Sequence, residues 1–212
     1  VVLMEKYLDF KNKIEYDKLK EMGGIIKRGE IVIFPTETVY AIGTNGLDEE
    51  AIKKLYKIKQ RPLDKPTSLL VSDMEMVKNL ARDITEKEYK LMKTFFPGAL
   101  TIILKKKDIV PNILTGNTNT IGIRMPENEI ARKLIEYANV PIAAPSANIA
   151  NKPSGTNIEN IINDFKETVD YYIDGGESKI GLGSTIVKIE NNVPIILREG
   201  SITKEQIYEC LK

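Results

Sequence analysis

The chain predicts an α+β fold, three-layered in outline as α/β/α: a twisted mixed parallel/antiparallel sheet with helices on its faces. Three observations carry that expectation. Short apolar runs bounded by Pro, Gly and Asn alternate with apolar residues at helical spacing, which calls for strands and covering helices. Near the C-terminus, two apolar runs flank Asn191-Asn192 as a hairpin, which breaks the strict strand–helix alternation of a purely doubly wound sheet. Finally, 212 residues that are 42% hydrophobic and 29% charged suffice for one core. A single domain over 1–212, centred on about 16–203, is therefore expected.

Each element has its own signal. Residues 16–28 set Leu19, Met22, Ile25 and Ile26 at helical spacing, and Gly29 stops that helix. The apolar run 31–34 ends at Pro35 and reads as a buried strand feeding a loop. Asp48 caps a helix with Ala51, Ile52, Leu55 and Ile58 on one face, whose end delivers Lys59 and Arg61 to the side of the Pro35 loop. Residues 67–71 form a strand, and Thr85 with Glu88 makes a capping box for a helix that reaches Phe96 and stops at Pro97-Gly98. A strand over 99–104 leads into a polar, turn-rich stretch over 105–119, the expected mobile loop. Residues 120–124 form a strand, 128–138 a helix, and 141–144 a strand opening into Pro145-Ser146. Asn157 caps a helix bearing Ile158, Ile161, Ile162 and Phe165, and a strand over 169–173 precedes a glycine-rich loop over 175–183. The hairpin strands 185–189 and 194–197 follow, and Thr203 with Gln206 caps the last helix.

Composition narrows the chemistry. Lys+Arg 31 against Asp+Glu 30 leaves no global field toward nucleic acid or an acidic membrane, so any anion site must be local. Lys105-Lys106-Lys107 lacks interleaved aromatics and reads as a solvated strand end. A lone cysteine, Cys210, rules out an internal disulfide, and the N-terminal Val-Val-Leu-Met is too short for a signal or a membrane span. The expected compartment is the cytoplasm. Histidine is absent altogether, which removes Ser/His/Asp chemistry and histidine-ligated zinc. No metal site is expected from the protein's own residues.

Two pieces point to an anionic ligand. Lys59-Gln60-Arg61-Pro62 offers a mobile point charge and a planar fork of donors, while Ser146-Ala147-Asn148 supplies small hydrogen-bonding groups, a set suited to phosphate. In isolation the first is also a dipole-favoured helix end and the second an ordinary turn. Thr36, Glu37 and Thr38 follow a buried strand and can project into a crevice, or form a local turn. Arg124 and Arg198 end apolar strands, where a cation must meet either a structural carboxylate or a substrate carboxylate. Neither a P-loop nor a G-x-G-x-x-G turn is present, and Gly181-Leu182-Gly183 alone signals little.

Seven segments occur in order: 34–40 (FPTETVY), 59–62 (KQRP), 97–101 (PGALT), 123–126 (IRMP), 144–148 (APSAN), 184–187 (STIV) and 197–200 (LREG). Together they resemble the YrdC-like family, the threonylcarbamoyl-AMP synthases with a KxR…SxN signature, in its single-domain form. The resemblance spans about 16–203 and implies the YrdC-like fold. It further implies condensation of L-threonine, bicarbonate and ATP, with Mg2+ accompanying ATP, into threonylcarbamoyl-AMP and pyrophosphate for threonylcarbamoyladenosine on tRNA. Such chemistry needs no protein nucleophile, since the threonine amine and then the carbamate attack; the protein positions and stabilises charge.

Carried over by position, the family's threonine pocket falls on Thr38, Ser72, Arg124, Ala144 and Ser184. Its ATP contacts fall on Arg61, Lys65, Thr120, Ser146, Asn148, Ser154 and Arg198, with Lys59 and Arg61 as the catalytic cations. The chain departs from the family at Ala41 and Gly183, where glycine and glutamate are usual, and Ser72 stands in for a histidine. Expected partners are the three substrates, with transient contact to tRNA or the threonylcarbamoyl-transfer machinery, and no membrane. A non-catalytic RNA-binding module is the alternative. A carbamoyl-adenylate enzyme of hydrogenase maturation is disfavoured, because its zinc-finger cysteines are missing.

Overall fold

The structure, a computed structural model, describes residues 2–212. Its elements run α1 (Val2–Glu5), β1 (Tyr7–Asp9), α2 (Tyr16–Lys27), β2 (Val32–Phe34), β3 (Ala41–Asn45), α3 (Glu49–Lys59), β4 (Leu69–Leu70), α4 (Met74–Leu80), β5 (Ala81–Arg82) and α5 (Glu86–Phe95). They continue with β6 (Leu100–Lys106), β7 (Thr120–Arg124), α6 (Glu129–Ala138), β8 (Ile142–Ala143), α7 (Ile158–Phe165), β9 (Tyr171–Asp174), β10 (Thr185–Glu190), β11 (Val193–Arg198) and α8 (Lys204–Cys210). The caps are those the sequence supplies. Asp48, Asn128 and Asn157 side chains accept from the third residue onward, and Thr85/Glu88 and Thr203/Gln206 form complete capping boxes.

In space the strands lie in the order β1-β9-β2-β3-β8-β4-β7-β6-β10-β11, with β5 paired to the far end of β6. Parallel pairs (β1/β9, β2/β9, β4/β7, β6/β10) mix with antiparallel ones, as expected. Asn191 and Asn192 both have positive φ, 51 and 63, the conformation a two-residue hairpin turn demands.

Side-chain alternation along the strands builds two cores, one on each face. Ile33, Ile42, Leu69 and Tyr172 enter one, beneath helices that include α3, α5 and α7. Phe34, Ala41, Leu70 and Ile173 enter the other, beneath α2 and α6. The α2/α6 layer covers only the β1-to-β4 half of its face. On β7, Ile121 and Ile123 point to the first core, so Gly122 and Arg124 fall on the face that α2 and α6 leave open. By the same alternation, Leu100 and Ile102 bury inward and Thr101 faces the opening.

Several elements differ from expectation. β1 lies before the expected core yet pairs with β9, and β3, α4 and β5 carried too weak a pattern to be read. β6 extends to Lys106, and much of the expected mobile loop is packed: Val110 and Leu114 are buried, Asn112–Thr115 forms a 3-10 turn, and Lys107 N–H donates to Leu80. Among the described residues, no helix is long and apolar enough to cross a membrane.

Candidate active site

The open half of the sheet carries a crevice of about 200 Å3. Its walls come from the 36–41 segment, the approach to β4, the ends of β7 and β10, the 144–146 loop and Arg198 of β11. Gly122 makes the floor close-packed: a Cβ there would lie 2.6 Å from Ser68 Oγ and 3.1 Å from Thr101 Cγ2. Backbone bonds stitch the walls together. Ile42 N–H donates to Pro145, Ala147 N–H to Tyr40, and Ile180 and Gly181 N–H to Glu37 and Thr38.

Arg124 anchors one end and is 6% exposed. Nε donates to Gly98 O at 3.1 Å, Nη1 to Thr38 Oγ1 at 2.9 Å, and Nη2 to the Glu37 carboxylate. Of the two readings of this cation, the structural carboxylate is present, yet two of the five N–H donors have no protein partner among the described residues. Burial lowers the guanidinium pKa, Glu37 opposes that, and Arg198 adds to it. Thr36 spends its proton on Val39 O at 2.5 Å, so the 2.9 Å bond between the two threonine hydroxyls is donated by Thr38. Across the crevice, Arg198 Nε donates to Ser184 O at 2.9 Å and Nη2 to its hydroxyl at 3.3 Å, while Ser184 and Thr101 share a 2.6 Å bond.

Arg61 holds the other end. Nη2 donates to Pro66 O at 2.7 Å, the guanidinium lies 5.8 Å from the Tyr56 ring centroid, and its buried Nε has no partner among the described residues. A buried N–H without an acceptor costs about 1–3 kcal/mol. Lys59 differs from expectation: it does not line the crevice, is 1% exposed, and donates to Ser146 O at 2.6 Å and Asn148 Oδ1 at 3.2 Å. Burial, then Arg61, push its ammonium down to about 7.

Of the expected site residues, Thr38, Arg61, Arg124, Ala144, Ser146, Ser154, Ser184 and Arg198 line one crevice. The others lie outside its lining. Asn148 supports the loop: its amide takes bonds from Lys59 and Ser146 and donates to Ile149 and Lys152. Lys65 sits exposed on the loop after α3, and Thr120 starts the strand that Arg124 ends. Ser72 turns away, its hydroxyl at 3.4 Å from Asp73 and 3.6 Å from the Met76 sulfur. Ser68 and Leu70, four and two positions earlier, line the crevice instead, because β4 pairs Leu70 with Arg124 and ends there, before Ser72. Thr36, read as able to project into a crevice, lines it, while Glu37 does not; Thr101 and Ile186 line it without having been expected there, and Thr101 ends the PGALT segment, where alternation beside Leu100 and Ile102 was its signal.

No carboxylate, histidine or cysteine lines the crevice, and no cluster of three metal-ligating side chains exists among the described residues. The residues therefore do not fit a resident metal. They fit anions, held by three arginines and a ring of hydroxyls.

A family model for Sua5/YciO/YrdC, described as "Telomere recombination", matches residues 24–200. A threonylcarbamoyl-AMP synthase of Pyrococcus abyssi is 42% identical over 204 residues, covering 96% of this chain and 60% of the relative. One from Bacillus subtilis is 40% identical, covering 90% of this chain and 55% of the relative. The crystal structure of P. abyssi Sua5 complexed with L-threonine superposes with a TM-score of 0.94 at 42% identity, over 96% of this chain and 60% of that one. This chain thus spans somewhat over half the length of these relatives.

Proposed function

The chain belongs to the Sua5/YciO/YrdC family, and from that premise and the crevice we propose that it condenses L-threonine, bicarbonate and ATP into threonylcarbamoyl-AMP and pyrophosphate. The observation that carries this reading is a crevice with three arginines and no carboxylate, histidine or lysine to activate its hydroxyls, which suits a reaction whose nucleophiles belong to the substrates.

Arg124 takes the threonine carboxylate on its two unpartnered N–H groups, with Thr38, Ala144 and Ser184 around the amino acid. Arg61, Arg198, Ser146 and Ser154 face the nucleotide. The threonine ammonium passes its proton to bicarbonate, which departs as water and carbon dioxide. The freed amine attacks the carbon of that carbon dioxide, one C=O π pair moving onto oxygen as the N–C bond forms, and the carbamate nitrogen loses a second proton to solvent. A carbamate oxygen then bonds the α-phosphorus, and the bond to the bridging oxygen breaks, its electron pair leaving with pyrophosphate. Arg61 and Arg198 offset the charge that develops there. Magnesium enters as the counter-ion of ATP. Lys59 acts one step back, holding the Ser146–Asn148 loop against the end of α3. The adenylate is destined for tRNA modification in the cytoplasm.

Incubation with ATP, magnesium, bicarbonate and labelled threonine should release pyrophosphate only when threonine and bicarbonate are both present. Cleavage to ADP and phosphate would refute adenylation.

A further inference from the structure

Among the described residues, Arg124 is the one crevice arginine in an ion pair. Glu37 accepts from Nη2 with one oxygen and from the Glu127 backbone N–H, at 2.6 Å, with the other. Its side chain is 11% exposed and does not line the crevice. A ligand on Arg124 therefore meets the guanidinium directly and the Glu37 charge from behind it. Gly98 O and Thr38 fix the guanidinium plane, so the carboxylate cannot be exchanged for another by rotation.

We propose that Glu37 is a specificity-determining residue: it makes the Arg124 end accept a carboxylate that carries its own ammonium and reject a plain anion. The inference rests on the amino-acid site proposed above. A fixed negative charge behind the arginine repels a ligand carboxylate, but it attracts an ammonium on the next carbon by a similar amount, so the field nearly cancels for a zwitterion. Plain carboxylates and phosphates get no such compensation. Two carboxylates that share one guanidinium through Nη2 stand about 5–7 Å apart, and with an effective dielectric of about 20–40 the penalty is on the order of tenfold or more in Kd. Arg61 and Arg198 lack such a partner among the described residues and remain open to phosphate. The two ends of one crevice are thereby sorted by charge, with repulsion of the wrong ligand supplying the discrimination.

The test compares L-threonine with (R)-3-hydroxybutyrate, the same molecule without its amine, by calorimetry on the whole chain. Wild type should favour threonine by about tenfold or more. Glu37→Gln should bind hydroxybutyrate about tenfold more tightly than wild type while threonine changes by less than about threefold, and Glu37→Asp, which keeps the charge, should retain the wild-type preference. A merely structural glutamate predicts weaker binding of both ligands, since a loosened site does not gain affinity. Unchanged or weaker hydroxybutyrate binding by Glu37→Gln overturns the proposal. Should that variant fail to fold with Arg124 left unpaired, equal affinities of wild type for the two ligands would overturn it instead. A wild type that binds no threonine removes the amino-acid site, and this inference with it.

Discussion

Replacing Lys59 by methionine should change the pH dependence of stability in a direction set by where the lysine sits. The side chain is 1% exposed, and its ammonium pKa falls from 10.5 to about 7, through burial first and Arg61 second. Below about pH 7 the lysine is charged in both states, and the folded protein bears the full cost of burying it. Between that pH and 10.5 the unfolded chain binds more protons, so this group makes stability rise with pH; above 10.5 both states are neutral and the rise ends. At about 1.36 kcal/mol per pH decade, the window bounds the rise at about 5 kcal/mol. Ser146 O and Asn148 Oδ1, which accept from Nζ, favour the charged form and bring the expectation to about 2–4 kcal/mol. Lys59→Met lacks the titration but leaves the Ser146 carbonyl without that donor. Urea unfolding of both proteins from pH 6 to 10 isolates the effect, because every other group cancels in the difference. The variant should be relatively more stable at the acid end and relatively less stable at the alkaline end, with turnover reduced about tenfold or more as Ser146 shifts. Parallel stability curves across that range would refute the reasoning.

Arg61→Ala should lower turnover about a hundredfold at saturating substrates, and lysine should rescue little, since a point charge cannot stack on Tyr56 while presenting a planar fork. Near-normal steady-state rates for both variants would move Arg61 out of the chemistry. Gly200→Ala should cost about 1–3 kcal/mol in thermal unfolding, because its Cβ would stand 2.2 Å from Gly183 O and 3.0 Å from Thr185 N, backbone atoms that cannot swing aside. A melting temperature equal to wild type would show that this turn relaxes.

Legibility followed the locality of the signal. α3 needed only Asp48 as cap and Ala51, Ile52, Leu55 and Ile58 on one face, and the hairpin only Asn191-Asn192. β3 was missed because Ala41–Asn45 is buried by neighbours on both sides, with no alternation of its own to read. The site divided similarly. Arg124 was legible as a cation that must be partnered, but Glu37 as its partner required the contact between β7 and the loop after β2. Ser72 and Leu70 illustrate register: two residues of offset decide which hydroxyl or methyl meets the ligand, and only the pairing of β4 with β7 fixes the count. Lys59 carried the right motif and the wrong depth, since burial is a property of the packed helix end.

Strand β10 pairs in parallel with β6 some eighty-five positions earlier, and among the described residues β10 is the one strand that β11 pairs with. Ser184 and Arg198 arrive with that hairpin, after Thr38, Arg61 and Arg124 have long been synthesised. A nascent chain halted before the hairpin would expose an Arg124 corner with its opposite wall missing. Non-local closure of this kind is slow relative to helix formation, so binding competence should appear late in folding, as the final strands dock. Fraying of the same edge would disassemble the crevice while the two cores persist, making catalysis more fragile than the fold that supports it.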